Sequence, residues 1–368
     1  MEPNLIARIL EMAVAIQQIP APTFAESQRT AFVCQRFSEA GLSEVSVDAV
    51  GNVYGCLPGQ GRARPVVVSA HTDTVFPAGT DLSARREANK IQGPGIGDNS
   101  LGVAGLFGLL WDLEANRQSG RLPGDIWLVA DVCEEGLGDL RGMRGVVERF
   151  SDEPLAYIIL EGMAFGQVYH RGLGVQRYRI NIRTQGGHSW VDYGRPSAIH
   201  ELAALVTRLT ALALPGRPRT SLNVGVIQGG TSINTIAAEA WLELDLRSEG
   251  SHALSDLIAW VERLVQAANR PNVEATCEVI GRRPAGKLAT NHPLVQLACR
   301  CLEAQGMRPN LGIGSTDANI PLSRGLPAVC IGLTNGSGAH TVGEFIFTEP
   351  LARGMAQAAA LVEGVFKI

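Results

Sequence analysis

Seven residues in this 368-residue chain pair metal-ligand or proton-transfer chemistry with a recurring placement. His71 and Asp73 close the run PVVVSAHTDTVFP, Asp98 follows the glycines of GPGIGDNS, and Glu134 and Glu135 end DIWLVADVCEEG. Glu161 ends AYIILEG, and His340 follows LPAVCIGLTNGSGAH. The apolar runs, rich in Val and Ile, read as strands buried on both faces of a parallel sheet. The carboxyl edge of such a sheet is where α/β proteins bind ligands. A ligating imidazole is aimed by a group that holds its second nitrogen, and Asp73, two residues past His71, is placed to do so. Taken alone, a His-x-Asp pair could equally be a hydrogen-bonded loop histidine, and an acidic pair such as Glu134 and Glu135 is commonly just solvated. Three apolar strands that each end in His or Glu are harder to read as surface decoration.

His71, Asp98, Glu135, Glu161 and His340 together supply two imidazoles and three carboxylates to one sheet edge. Three carboxylates packed together repel and raise one another's pKa values unless cations intervene. Two divalent ions would relieve that repulsion. Zinc suits mixed nitrogen and oxygen ligation, and a carboxylate bridging two ions about 3.5 Å apart is a recurrent hydrolytic design. Glu134 is then the spare carboxylate, a general base for water activated between the ions. The seven cysteines are scattered and form no Cys-x-x-Cys, so neither a thiolate site nor a disulfide framework is expected. GPGIGDNS lacks the spacing of a phosphate or dinucleotide loop, and Gly93, Gly95 and Gly97 read instead as a tight turn that aims Asp98. Neither Gly-x-Ser-x-Gly nor His-Glu-x-x-His occurs.

The elements that must position these residues follow from periodicity. Residues 5–17 carry one apolar helical face, Pro20 to Thr23 read as a stiff turn that merely punctuates the chain, and a second helix runs to Gly41. Ser46–Cys56 and Pro65–Ala70 read as strands, and Asp98 directly precedes a helix that starts near Leu101. From Gly174 the texture changes to alternation, with Tyr178, Ile180 and Ile182 between polar neighbours. The order that follows is a helix at 197–212, strands at 223–228 and 240–247, a helix centred on 254–265, and a strand at 273–280. That is the β-α-β-β-α-β sequence of a ferredoxin-like insert. The expected organisation is therefore an α/β catalytic domain formed by residues 1–173 and 282–368, with an α+β domain inserted at 174–281. Net charge is −4, which offers no basic stripe to nucleic acid or to a membrane surface. No apolar run reaches transmembrane length and the first residues lack a signal-peptide core, which points to the cytoplasm.

In order and approximate spacing, HTDTVFP, GPGIGDNS, CEEG, LEG, GGHS, GSTDAN and GAH resemble the M20 metallopeptidase family along nearly the whole chain. The resemblance implies a zinc-exopeptidase fold, a mixed and largely parallel sheet flanked by helices, with the insert serving as lid and dimerisation domain. It implies two Zn2+ per chain, with Co2+ or Mn2+ as substitutes. Asp98 would bridge them, His71 and Glu161 would complete one site, and Glu135 and His340 the other. It also implies Glu134 as catalytic base, Asp73 as partner of His71, and a cis peptide after Asp98. His188 of GGHS would polarise the scissile carbonyl, reaching in from a second subunit of a homodimer. Asn234, Arg247, Ser315 and Thr316 would contact substrate, although Arg247 could instead form a surface salt bridge. The implied substrate is a small peptide, cleaved by an exopeptidase acting on di- or tripeptides, or alternatively an N-acyl amino acid. A non-catalytic ligand-binding relative is the reading from a different class. Two departures, Asn-Ser after Asp98 where many members have Asp-Lys and GSTDAN in place of GGTDA, bear on substrate choice rather than on the chemistry.

Overall fold

In the computed structural model, which describes residues 3–118, 120 and 122–368, the apolar runs ending in His71, Asp131 and Glu161 lie side by side. Val66–His71, Ile126–Asp131, Ala156–Glu161 and Ala328–Gly332 form the parallel centre of a nine-stranded sheet. Their side chains are buried almost without exception, as expected for strands covered on both faces. Antiparallel strands extend the sheet on either side, with Val53–Leu57 and Ser43–Val47 beyond Ile126–Asp131, and Gln167–Gly172 beyond Ala328–Gly332. Helix Leu101–Gln118 packs against Val66–His71 and against Pro3–Gln17 and Leu351–Val365, so its apolar residues join one core with the sheet. The result is a mixed, largely parallel α/β sheet with flanking helices.

Because the central strands are parallel, their carboxyl ends share one edge. His71 stands opposite Asp131, and Glu161 opposite Gly332. A small antiparallel sheet made of Arg85–Arg86, Lys90–Gln92, Phe345–Phe347 and Gly336–Ser337 then ties the segment leading to Asp98 to the segment following His340.

The chain divides into two compact units. One comprises residues up to Gly172 together with Gly286–Ile368, and the other Leu173–Ala285. In the second unit Gly174–Thr184, Thr220–Gly229, Glu239–Ser248 and Val273–Arg283 form an antiparallel sheet in which the first strand lies between the third and fourth. Helices Ala198–Thr210 and Ser251–Gln266 bury Leu202, Leu205, Leu257 and Val261 against that sheet.

The structure corrects some local expectations. Ser46–Cys56 is not one strand but the two arms of a hairpin, because Asp48 Oδ1 accepts the N–H groups of Val50, Gly51 and Asn52 and so closes a turn. Val273–Arg283 continues past residue 280, since a bulge between Val279 and Gly281 lets its pairing with Gly174–Thr184 resume. Pro20 to Thr23 does more than punctuate: Pro22 bridges to Thr74, and Thr23 reaches the site. Among the described residues no helix is long and apolar enough to cross a membrane.

Candidate active site

His71, at the end of its strand and 2% exposed, directs Nε2 to Asp98 Oδ1 at 3.2 Å and to Glu161 Oε2 at 3.8 Å. His340, on the loop after Ala328–Gly332, directs Nε2 to Asp98 Oδ2 at 3.1 Å and to Glu135 Oε1 at 3.1 Å. Asp98 thus lends one oxygen to each imidazole. Two groups result, His71 with Asp98 and Glu161, and Asp98 with Glu135 and His340, and in each the ligand atoms lie within 4.8 Å of one another. Imidazole nitrogen with carboxylate oxygen, three donors to a group and one carboxylate shared, is a donor set that fits a pair of divalent ions.

Without cations, protons balance the charge. His71 is held protonated well above the ordinary imidazole range: burial opposes this, but Asp73, Asp98 and Glu161 overcome it. Contact with Asp98 and then Glu135 raises His340 to about 9. Asp98 is driven far below its usual range, because His340 and His71 outweigh its burial. Burial, Asp98 and Glu134 push Glu135 up to about 8.

Asp73, fully buried, serves two tasks. Its Oδ1 lies 3.4 Å from His71 Nδ1, which is closer to the Asp73 carbonyl oxygen at 3.1 Å. Its stronger engagements are with the CEEG turn: Oδ1 accepts the Glu134 N–H at 2.9 Å, and Oδ2 accepts the Glu135 N–H at 2.9 Å and the Thr23 hydroxyl at 2.9 Å. Glu134, 6% exposed, is therefore fixed through its backbone beside the ligand Glu135.

The Asp98 turn is held from two sides. Asn99 donates to the Leu160 carbonyl and accepts the Gly162 N–H, which locks it to the strand end that carries Glu161. Glu344 accepts the N–H groups of Gly95, Gly97 and Asp98 at 2.7 to 3.0 Å. The Asp98–Asn99 peptide is cis. Beside His71 and Glu134 lie Asp131 and Asp317, both fully buried. Burial, then Asp73 and Glu134, raise Asp131 to about 7, and burial with Asp131 raises Asp317 well above the carboxylate range, so burial and mutual repulsion favour the protonated forms of the pair.

Ser315 and Thr316 follow strand Asn310–Gly314 in the same unit, and Thr316 N–H donates to Asn319 Oδ1 at 3.2 Å. His188, Asn234 and Arg247 belong to the second unit. His188 Nδ1 accepts the N–H groups of Trp190 and Val191 at 3.2 and 3.3 Å, which leaves the ring proton on Nε2 as an exposed donor. The Asn234 carbonyl accepts the Ser189 N–H, so Asn234 adjoins His188. Arg247 Nε bonds Asp245 Oδ2 at 2.6 Å, the salt bridge that the sequence left open for it. The sequence alone assigns no role to Thr23, Asn99, Asp131 or Glu344, and places Asp317 only within the GSTDAN substrate loop. Asn99 and the GSTDAN loop carry a signal as departures from the family pattern.

The sequence profile of peptidase family M20/M25/M40 matches residues 67–364. A succinyl-diaminopimelate desuccinylase from Corynebacterium glutamicum is 23% identical over 350 residues, covering 92% of this chain and 91% of its own. A tripeptidase from Staphylococcus aureus superposes with a TM-score of 0.83 at 21% identity, covering 99% of both chains. A dinuclear metal-binding M20 peptidase from Bacillus subtilis superposes with a TM-score of 0.71 at 16% identity, covering 100% of this chain and 99% of its own.

Proposed function

Because the chain belongs to peptidase family M20/M25/M40, whose members are metal-dependent peptidases and amidohydrolases, we propose that it is an exopeptidase acting on di- or tripeptides. The observation that carries this reading is Asp98, shared between two histidine–carboxylate groups with Glu134 held beside them. His71, Asp98 and Glu161 would hold one ion and Asp98, Glu135 and His340 the other. The donors suit Zn2+, with Co2+ or Mn2+ as substitutes. When bound, such a pair of ions polarises the amide carbonyl and acidifies water.

The protein's own residues do the rest. Glu134 takes the proton of the attacking water and delivers it to the departing amine. Asp73 fixes where Glu134 stands. The His188 Nε2–H donates to the oxyanion that develops on the carbonyl, in a homodimer formed through the inserted lid unit. Ser315, Thr316 and Asn234 contact the substrate, and Arg247 would have to leave Asp245 to bind its carboxylate. Seven free cysteines suit a reducing, cytoplasmic setting.

A deacylase acting on N-acyl amino acids is the second reading, supported by relatives named as a desuccinylase and as acetylornithine deacetylases. Amine release by the zinc-loaded protein from dipeptides, set against the same compounds N-acetylated, separates the two. Cleavage of the free peptides alone supports the exopeptidase, and loss of acetyl supports the deacylase. Glu134→Ala should keep its metal and lose at least about a hundredfold in turnover. Under one zinc per chain after reconstitution, with no turnover on either set, would favour a ligand-binding relative.

A further inference from the structure

Most large apolar side chains of the catalytic unit are buried or partly buried, and among the described residues nine are exposed. Four of those nine lie one or two positions along the chain from a ligand of the candidate metal centre or from the Thr23–Asp73 pair that holds it. Phe24 (54% exposed) follows Thr23, Val75 (39%) lies two residues past Asp73, Leu137 (52%) two past Glu135, and Val342 (69%) two past His340. Their segments are joined by contacts in space rather than by sequence alone. Pro22 bridges to Thr74, Thr23 and the CEEG turn share Asp73, Gly138 abuts the Thr23 methyl, and His340 meets Glu135. Other exposed apolar residues of this unit, such as Val47, Val50 and Leu311, lie on a hairpin or on the strand Asn310–Gly314. The second unit repeats the association, since Trp190 and Tyr193 follow His188 and Ile233 precedes Asn234, all three strongly exposed.

Resting on the amide-hydrolase reading above, we propose that Phe24, Val75, Leu137 and Val342 form a specificity wall. It selects substrates with a bulky apolar group next to the scissile amide. Side chains of this kind gain when an apolar group of the substrate covers them from water; the Phe24 ring also carries the Arg141 guanidinium, 5.0 Å from its centroid. Pinning each wall residue within two positions of a metal or positioning residue places the apolar group of the substrate at a fixed distance from the reacting carbonyl.

The test uses the zinc-loaded full chain and a panel of Leu-Gly, Gly-Gly, Glu-Gly and Lys-Gly with N-acetylleucine and N-acetylglycine. The expected kcat/KM for the leucine compounds exceeds that for the glycine compounds by at least about tenfold. The double variant Leu137→Ser/Val342→Ser, both exposed sites, should shrink that ratio at least about fivefold. A wild-type ratio near one, a preference for Glu or Lys, or an unchanged ratio in the double variant overturns the wall. If no panel member is hydrolysed, the amide-hydrolase reading fails separately. The wall is then judged by the Kd of leucine hydroxamate against glycine hydroxamate: a tenfold preference that shrinks in the double variant supports it, and equal Kd values overturn it.

Discussion

Replacing Asp73 with Asn changes no shape and removes one charge, and its consequences can be worked from four distances. Oδ1 accepts the Glu134 N–H and Oδ2 the Glu135 N–H, each at 2.9 Å, while Thr23 donates to Oδ2 at 2.9 Å and His71 Nδ1 stands 3.4 Å from Oδ1. An amide offers one acceptor oxygen. Whichever way it turns, its NH2 faces one of the two backbone N–H groups in a site where Asp73 is 0% exposed. The Thr23 hydroxyl can rotate to accept, but the N–H cannot. One buried donor is left unpaired, at about 1–3 kcal/mol. Measured without metal, that is a fall in Tm of about 2–12 °C, at about 2–4 °C per kcal/mol for domains of 150–250 residues. The zinc affinity should fall about 10–100-fold, the usual cost of losing a partner behind the ligands. Asp73 also helps hold His71 protonated, so its loss eases metal entry at low pH; the comparison therefore belongs near pH 8. Thermal unfolding of the metal-free proteins and zinc competition with a chromophoric chelator read the two effects apart. A Tm within 1 °C of wild type, together with an affinity within about twofold, would refute Asp73 as the clamp of the CEEG turn.

The remaining predictions use the same site. His340 (about 9) and Glu135 (about 8) are raised, so both are protonated at neutral pH and must lose protons to ligate. Zinc affinity should therefore rise with pH from 6 through 9, with release of about two protons or more per chain at pH 7; calorimetry in buffers of different ionisation enthalpy would sink this by finding none. Glu344→Gln, which turns an NH2 toward the N–H groups of Gly95, Gly97 or Asp98, should weaken zinc binding by about tenfold and speed amide exchange at those residues. Unchanged exchange would mean that the Asp98 turn holds itself.

The strands were legible because buried parallel strands are written as unbroken β-branched and apolar runs, and the ligands because a His or Glu stands at the end of each such run or in the loop that follows it. His71, Glu135, Glu161 and His340 could be read that way, and Asp98 from the glycines that precede it. What escaped was held by backbone N–H groups, which have no letter in the sequence. Glu344 lies 246 to 249 positions from the groups it binds, and its only local context is an unremarkable TVGEF. Thr23 looked like part of a proline turn because the partner of its hydroxyl lies 50 residues on. Asp48 ended the expected strand by an Asx turn that a reading based on apolar content passes over. Asp131 was hidden inside an apolar run, where its buried partner Asp317 could be found only by folding the chain.

The two clamps separate two kinds of failure. Glu134 and Glu135 follow Cys133, whose φ is 57°, and one carboxylate accepts both of their N–H groups. Base and ligand are thus positioned by the same residue, so damage at Asp73 should lower kcat and metal affinity together, and saturating zinc should restore only part of kcat. Glu344 binds the turn of Asp98 through three backbone N–H groups. Damage there should lower metal affinity while kcat returns to near wild type once zinc is saturating. If Asp73→Asn also recovered fully at saturating zinc, the shared hold on the base would be wrong, and Glu134 would owe its position to something other than Asp73.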